Sequence, residues 1–98
     1  MEIKKNIVDG KIEVKVIGKL DTSSAGQLDA ELKDDLPNGK CMELDFSELE
    51  YISSAGLRLL LYFAKQLGGK DKVVVKGANE VVTDIFNISG FAKIVTVA

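Results

Sequence analysis

The sequence predicts an α/β domain with one mixed, mostly parallel β-sheet flanked by helices, in the order β-β-α-β-α-β-α-β. Three observations lead to this fold class. The chain begins with two strand-like runs joined by Asp9-Gly10, a dipeptide typical of a two-residue hairpin turn. After the hairpin, a helical pattern separates each strand from the next, which indicates parallel strands with right-handed crossovers. A length of 98 residues suits one such domain, and we expect residues 1–98 to form it.

The first half of the chain supplies the hairpin and a helix. The hairpin strands are predicted over Glu2–Val8 and Lys11–Ile17, and the second alternates apolar and charged residues like a strand with one buried face. Ser24 and Gln27 have the spacing of a capping box at the start of the helix, which Pro37-Asn-Gly39 ends. The apolar stripe of this helix consists of Ala25, Leu28, Leu32 and Leu36.

The second half alternates strands and helices. Buried strands are predicted over Cys41–Phe46 and Val73–Val75, with a helix from about Ser54 to Leu67 between them. Asn79 is expected to cap a third helix that closes near Ser89-Gly90. Ile94–Val97 can then add an edge strand. Residues 47–53, between the strand and the helix, are expected to form a loop.

The composition argues against several partners. The net charge of −2 gives no reason to expect binding to nucleic acid or to an anionic membrane. No apolar run approaches the ~18 residues that span a bilayer, and the N-terminus lacks the apolar region of a secretory signal. Cys41 is the only cysteine, so there is no disulfide framework. We therefore expect a cytoplasmic protein.

The absence of histidine is a strong chemical constraint. It removes the usual general base, the usual activator of a serine nucleophile and the commonest metal ligand. The sequence also has no glycine-rich phosphate loop and no cluster with metal-ligand spacing. We expect no enzymatic activity, no metal and no cofactor.

The most informative segment runs from Asp45 to Leu61. It contains the end of a buried strand, a short loop, and a helix that begins at Ser53-Ser54-Ala-Gly. A hydroxyl at a helix start lies beside free backbone N–H groups and the positive end of the helix dipole, where a phosphate is well tolerated. The plainer interpretation of Ser54 is a structural N-cap, because serine is favoured there.

This segment resembles the signature of the STAS family, the domain of anti-sigma factor antagonists. The family pattern is roughly Asp-hydrophobic-Ser, followed by hydrophobic-Asp-Ser, then Ser, Ala or Thr, then Gly-hydrophobic. Ser54 takes the place of the family's phosphorylated serine and is followed by Ala55, Gly56 and Leu57, whereas Ser53 stands where the family usually has Asp. The STAS fold has the same order of elements, so the resemblance extends over nearly the whole chain.

The resemblance implies an anti-sigma factor antagonist. In its unphosphorylated form it would bind an anti-sigma factor that is also a serine kinase, and so release the sigma factor. The kinase would inactivate it at Ser54, and a PP2C-type phosphatase would restore it. The alternative is a STAS-type, non-catalytic subunit of a transport or stress-sensing assembly with a permanent partner. A small enzyme using Asp21, Asp45 and Ser54 is disfavoured by the missing histidine and phosphate loop.

The helix from Ser54 is richer in apolar residues than one buried face requires. Helical spacing assigns its sheet side to Leu57, Leu60, Leu61, Ala64 and Leu67. Leu59 and Tyr62 fall on the other side, with Phe63 at the margin, and are either stray exposed residues or a docking patch. Arg58 is one turn after Ser54 and is either solvated or able to pair with a phosphate there.

Asp21 completes the predicted site. It lies in Gly18-Lys-Leu-Asp21, which resembles the step before the first helix of STAS domains. Asp21 is either a helix cap or turn residue, or it places a charge close to Ser54. Asp45 is expected to bond loop N–H groups, with Ser47 as a second turn former. The predicted partner-binding surface comprises Asp21, Ser53, Ser54, Arg58, Leu59 and Tyr62.

Overall fold

Six strands and three α-helices follow one another in nearly the predicted order. The structure, a computed structural model, describes residues 1–98. Three short 3-10 turns lie at Leu36–Asn38, Lys70–Lys72 and Phe91–Lys93. The elements are β1 (Glu2–Val8), β2 (Lys11–Leu20), α1 (Ala25–Leu32), β3 (Cys41–Asp45), β4 (Leu49–Ile52), α2 (Ser54–Leu67), β5 (Val73–Lys76), α3 (Glu80–Ser89) and β6 (Thr96–Val97).

The sheet has the strand order β1-β2-β3-β5-β6, with β4 paired to the end of β2. β1 is antiparallel to β2, and every other pair is parallel, as predicted. Each crossover moves the chain across the sheet in the same direction, so right-handed crossovers place all three helices on one face. The buried residues of the sheet and of the helices accordingly form a single cluster of 22 residues.

The opposite face of the sheet is open and charged. Glu43 in β3 pairs with Lys11 of β2 at 3.0 Å and with Lys76 of β5 at 2.7 Å. The hydrogen bond from Lys76 and then the one from Lys11 lower the pKa of the Glu43 carboxyl. Exposed pairs of this kind stabilise a fold only weakly. Their exposure shows that the helices cover only the other face of the sheet, whereas the sequence suggested only that helices flank the sheet.

β4 is the main departure from the predicted order. Residues 49–52, expected in a loop, form a short strand beside residues 18–20 of β2. β2 is correspondingly longer than predicted and ends at Leu20 instead of Ile17. Only the two ends of β4, Leu49 and Ile52, are buried, so the strand lacks the alternation by which a half-buried strand is recognised.

Three other elements are shorter than predicted. α1 ends at Leu32, and Leu36 is buried in the 3-10 turn that contains Pro37, a residue that cannot continue a helix. β3 ends at Asp45, one residue early. The last strand is only Thr96–Val97, because the N–H groups of Ile94 and Val95 bond back to the Phe91 carbonyl and continue the turn that begins there. None of the helices is long and apolar enough to cross a membrane.

An added methyl group should have opposite effects on stability at two helical glycines. At Gly56, in the first turn of α2, a Cβ atom would lie 2.7 Å from Ile52 Cγ1 and 3.0 Å from the Leu20 carbonyl oxygen, whereas at Gly26 in α1 it would meet nothing within 4 Å. Gly56→Ala should lower the free energy of unfolding by about 1–3 kcal/mol, because α2 must move away from the sheet. Gly26→Ala should raise it by up to about 1 kcal/mol, because alanine favours helix.

Urea denaturation of both variants checks this pair of predictions. Each variant adds the same methyl group to a helix, so each serves as the control for the other. Changes of the same sign at Gly26 and Gly56 would contradict the close contact at one site or the open space at the other.

Candidate functional site

The two serines of the motif lie where β4 ends and α2 begins. Ser53 has extended backbone angles (φ −92°, ψ 174°), and its hydroxyl accepts a hydrogen bond of 3.3 Å from the Gly56 N–H. Ser53 is therefore the N-cap of α2. Ser54 is the first residue of the helix and is exposed, whereas Ser53 is half-buried. The structural cap that serine favours is thus provided by Ser53, and the Ser54 hydroxyl makes no hydrogen bond within the chain.

The start of α2 is held firmly against the sheet. The Ser53 N–H donates a hydrogen bond of 2.9 Å to the carbonyl of Leu20, at the end of β2. The helix that begins there has no acidic residue in its first turn. The positive end of its dipole therefore has no carboxylate of the same helix beside it, and Ser54 is exposed there, so this position accommodates an added negative charge.

Asp21 occupies the matching position after β2. Leu20 pairs with Ile52, so Asp21 and Ser53 are the next residues along two neighbouring parallel strands. The Asp21 carboxylate accepts hydrogen bonds from the Ser23 N–H at 3.0 Å and the Ser23 hydroxyl at 2.7 Å. These bonds, the one from the hydroxyl above all, lower the pKa of Asp21. Of the two roles predicted for Asp21, the structure shows that of a turn residue, close to the serine pair.

The predicted capping box of α1 is wrong. The Ser24 hydroxyl does not cap the helix; it donates a hydrogen bond of 2.7 Å to the Lys19 carbonyl and accepts one of 2.9 Å from the Asp21 N–H. Asp21 in turn accepts from the Ser24 N–H at 3.1 Å. An aspartate three residues upstream thus binds the N–H groups of the turn more directly than Ser24 does.

Asp45 has the structural role that the sequence predicted. Its carboxylate accepts a hydrogen bond of 2.9 Å from the Ser47 N–H. Hydrogen bonds from Ser47 lower the pKa of Asp45. This carboxylate therefore stabilises the turn between β3 and β4.

The outward side of α2 differs in part from the prediction. Tyr62 is 44% exposed and Leu59 is half-buried, but Phe63 is fully buried. Phe63 follows Leu60 by three residues and precedes Leu67 by four, so all three lie on one helix face toward the core. Its assignment to the margin of a docking patch was wrong. Leu57 and Leu61, assigned to the sheet side, are only half-buried.

Arg58, Leu59 and Tyr62 line an open groove between α2 and α1. We call it the α1–α2 groove; its volume is about 330 Å³, and it begins at Ala55, the residue after Ser54. Three of the predicted partner-binding residues thus share one surface, and the serine pair lies at its end. The wall formed by α1 was not predicted, because the sequence does not show which helices are neighbours. The residues of this wall are Ala25, Gly26 and Asp29.

Comparison with known proteins identifies the family of this chain. The family model described as "Mlab, STAS domain" matches residues 3–96. The chain is also 37% identical over 100 residues to BtrV of Bordetella bronchiseptica, a candidate anti-sigma factor antagonist, with 100% of this chain and 86% of BtrV covered. The chain belongs to the STAS family of anti-sigma factor antagonists. The resemblance on which the sequence analysis relied is therefore confirmed.

Solved structures of STAS proteins have the same fold. An anti-sigma factor antagonist from Mycobacterium paratuberculosis superimposes with a TM-score of 0.85 at 21% identity, covering 98% of this chain and 83% of that protein. SpoIIAA of Bacillus, in its phosphorylated form, superimposes with a TM-score of 0.74 at 16% identity, covering 99% of this chain and 91% of SpoIIAA. At these identities the comparison concerns the fold alone, which is an α/β domain with a mixed β-sheet and three helices.

Proposed function

We propose that this STAS domain, when unphosphorylated, binds an anti-sigma factor that is also a serine kinase, and that phosphorylation of Ser54 ends this binding. A PP2C-type phosphatase then restores the active form. The domain acts as a cytoplasmic binding module and kinase substrate, with no catalysis of its own. The observation that carries the proposal is the exposed, unbonded Ser54 hydroxyl at the first residue of α2, next to a serine that already caps the helix.

The physics of a phosphate at this position suits a switch. It adds about −1.5 to −2 charges and three acceptor oxygens. The N-terminal end of α2 favours that charge, so the fold survives modification. A partner docked over Ser54 would instead bury a charge for which it has no counterpart. The same phosphate is therefore tolerated by the free domain and opposed in the complex.

Arg58 supports the same role. It is exposed, takes part in no ion pair, and follows Ser54 by four residues, which places both on one side of α2. A guanidinium in that position is able to bind a phosphate on Ser54. Phosphorylation would then both add charge and withdraw Arg58 from the partner.

Ser53 replaces the aspartate of the family pattern without loss of the helix cap. Serine and aspartate are about equally good N-caps, and the Ser53 hydroxyl accepts the hydrogen bond that a carboxylate would accept. What the replacement does remove is a negative charge beside Ser54. A kinase that acts on this chain must therefore recognise the site without that charge.

We predict that the cognate kinase phosphorylates Ser54 and leaves Ser53 unmodified. Ser54 is exposed, whereas the Ser53 hydroxyl is half-buried and engaged with the Gly56 N–H. Mass spectrometry of the protein after incubation with kinase and ATP locates the phosphate, and Ser54→Ala is the control that should take none. Phosphate on Ser53, or no phosphate with a kinase that is active on another substrate, would refute the assignment.

A non-catalytic subunit of a transport or stress-sensing assembly remains the second candidate. The Ser53 replacement favours it, because a permanent complex does not need a kinase recognition charge. Affinity purification from the native cell separates the two functions. A partner that stays bound after treatment with the kinase and ATP indicates a permanent subunit, whereas a partner that is released indicates the switch.

A further inference from the structure

We propose that the α1–α2 groove binds one segment of the anti-sigma factor through a fixed pattern of charges. In this arrangement a large apolar side chain of the partner enters the groove beside Gly26, an acidic side chain meets Arg58, and a basic side chain meets Asp29. The inference rests on the proposed function and adds the chemistry of the partner segment, together with the role of α1 in choosing it.

The first observation is that α1 has a glycine, Gly26, in the wall of the groove. It is not among the glycines with positive φ, and a Cβ atom there would meet nothing within 4 Å, so neither the backbone nor packing requires glycine. Glycine in a helix is less favourable than alanine. What the missing side chain does provide is open space in one wall of the groove. Glycine there lets a partner approach the backbone of α1 closely.

The apolar lining is the second observation. Ala25 and Ala55 are small, while Leu59 and the 44% exposed Tyr62 are large, so the groove has a floor of apolar surface beside a substantial aromatic edge. Tyrosine is enriched among the residues that dominate interface energies, and apolar centres with polar rims are typical of interfaces. With about 330 Å³, the groove accepts side chains of a protein segment more readily than a large ligand.

The charges at the groove are the third observation. Asp29 is on the α1 wall and Arg58 on the α2 wall, and neither belongs to an ion pair, with each other or with any other residue. Both charges line the groove, so both are available to a partner that enters it. Two unpaired charges of opposite sign across an apolar groove favour a partner with the opposite order of charges and repel one with the same order.

A bulky residue at Gly26 tests occupation of the groove. Gly26→Trp should weaken binding of the unphosphorylated domain to the purified anti-sigma factor kinase by at least tenfold in titration calorimetry. Asn87→Trp, at an exposed position of α3, is the matched control and should bind like the wild type. Thermal melting establishes that each variant is folded, and Gly26→Leu replaces the tryptophan variant if it is not. Wild-type affinity in a folded Gly26 variant would overturn the inference.

An exchange of the two charges tests the order of charges. The double variant Asp29→Arg, Arg58→Asp keeps the net charge of the domain but reverses the direction of the charge pair. If the order matters, the double variant should bind at least tenfold more weakly than the wild type. Wild-type affinity would show that the order of the two charges does not matter and would overturn the proposed pattern.

The controls separate this inference from the proposed function. If the wild-type domain neither binds the kinase nor is phosphorylated at Ser54, the proposed function fails and this inference fails with it. If the wild type binds and is phosphorylated but the Gly26 and charge-exchange variants bind equally well, only the groove assignment is wrong.

Discussion

Ser54→Asp should weaken binding to the kinase partner by more than tenfold while leaving the fold intact. A charge that is buried without a counterpart at an interface costs on the order of 2–5 kcal/mol of binding free energy. The free domain should tolerate it, because the side chain is exposed at the N-terminal end of α2. Titration calorimetry measures the affinity, and urea denaturation verifies that stability is unchanged.

Ser54→Ala is the matched variant for this prediction. It removes the hydroxyl without adding charge, so it should bind like the wild type. It should also remain bound in the presence of ATP, since it offers no acceptor at that position. If Ser54→Asp binds as tightly as the wild type, charge at Ser54 is not the basis of the switch.

Tyr62 and Phe63 are neighbours in sequence and should give opposite results when each is changed to alanine. Phe63 is fully buried, so Phe63→Ala should lower the free energy of unfolding by about 3–5 kcal/mol. Tyr62 is 44% exposed in the groove, so Tyr62→Ala should cost at least ~2 kcal/mol of partner binding and little stability. Denaturation and binding titrations on the same preparations separate the two effects.

Leu60→Ala is a second control, because Leu60 is fully buried on the sheet side of α2. It should resemble Phe63→Ala and lose stability first. The rings of Tyr62 and Phe63 lie 6.1 Å apart, so a minor loss of stability in Tyr62→Ala is consistent with the prediction. A large drop in its denaturation midpoint with unchanged affinity would assign Tyr62 to the core.

The hairpin turn and the cap of α3, which depend on local signals, were predicted from the sequence. Asp9 and Gly10 both have positive φ, +50° and +84°, as a two-residue hairpin turn of this type requires. Asn79 caps α3 as expected, with its side chain accepting a hydrogen bond of 2.8 Å from the Val82 N–H. Both signals act over a few residues, so they can be recognised in the sequence, whereas the predicted capping box of α1 was wrong because the Asp21 carboxylate binds the N–H of Ser24.

β4 could not be predicted, because it depends on a distant partner. Its four residues have no alternating pattern, and their strand geometry comes from pairing with residues 18–20 of β2. The same pairing lengthens β2 beyond the predicted end. The strand depends on this pairing with a segment that is distant in the sequence, so local propensity does not indicate it.

The site was predicted only in part, because some of it also depends on contacts between segments that are distant in the sequence. The exposure of Ser54 follows from its place at the start of a helix, which is a local property. The groove wall formed by Gly26 and Asp29 depends on α1 lying beside α2, and the sequence does not show that neighbour relation. Phe63 was misplaced because α2 has so many apolar residues that spacing alone leaves the limits of its buried face open.

The ion pairs across the open face of the sheet bear on the stoichiometry of the proposed regulation. A protein that acts by sequestering its target must be present in amounts comparable to that target, and each copy must remain available. Face-to-face association of two sheets would strip water from Lys11, Glu43 and Lys76 on both copies, and that desolvation opposes self-association. Pairing of copies through this face would then not reduce the amount of unmodified chain that is free to hold the target.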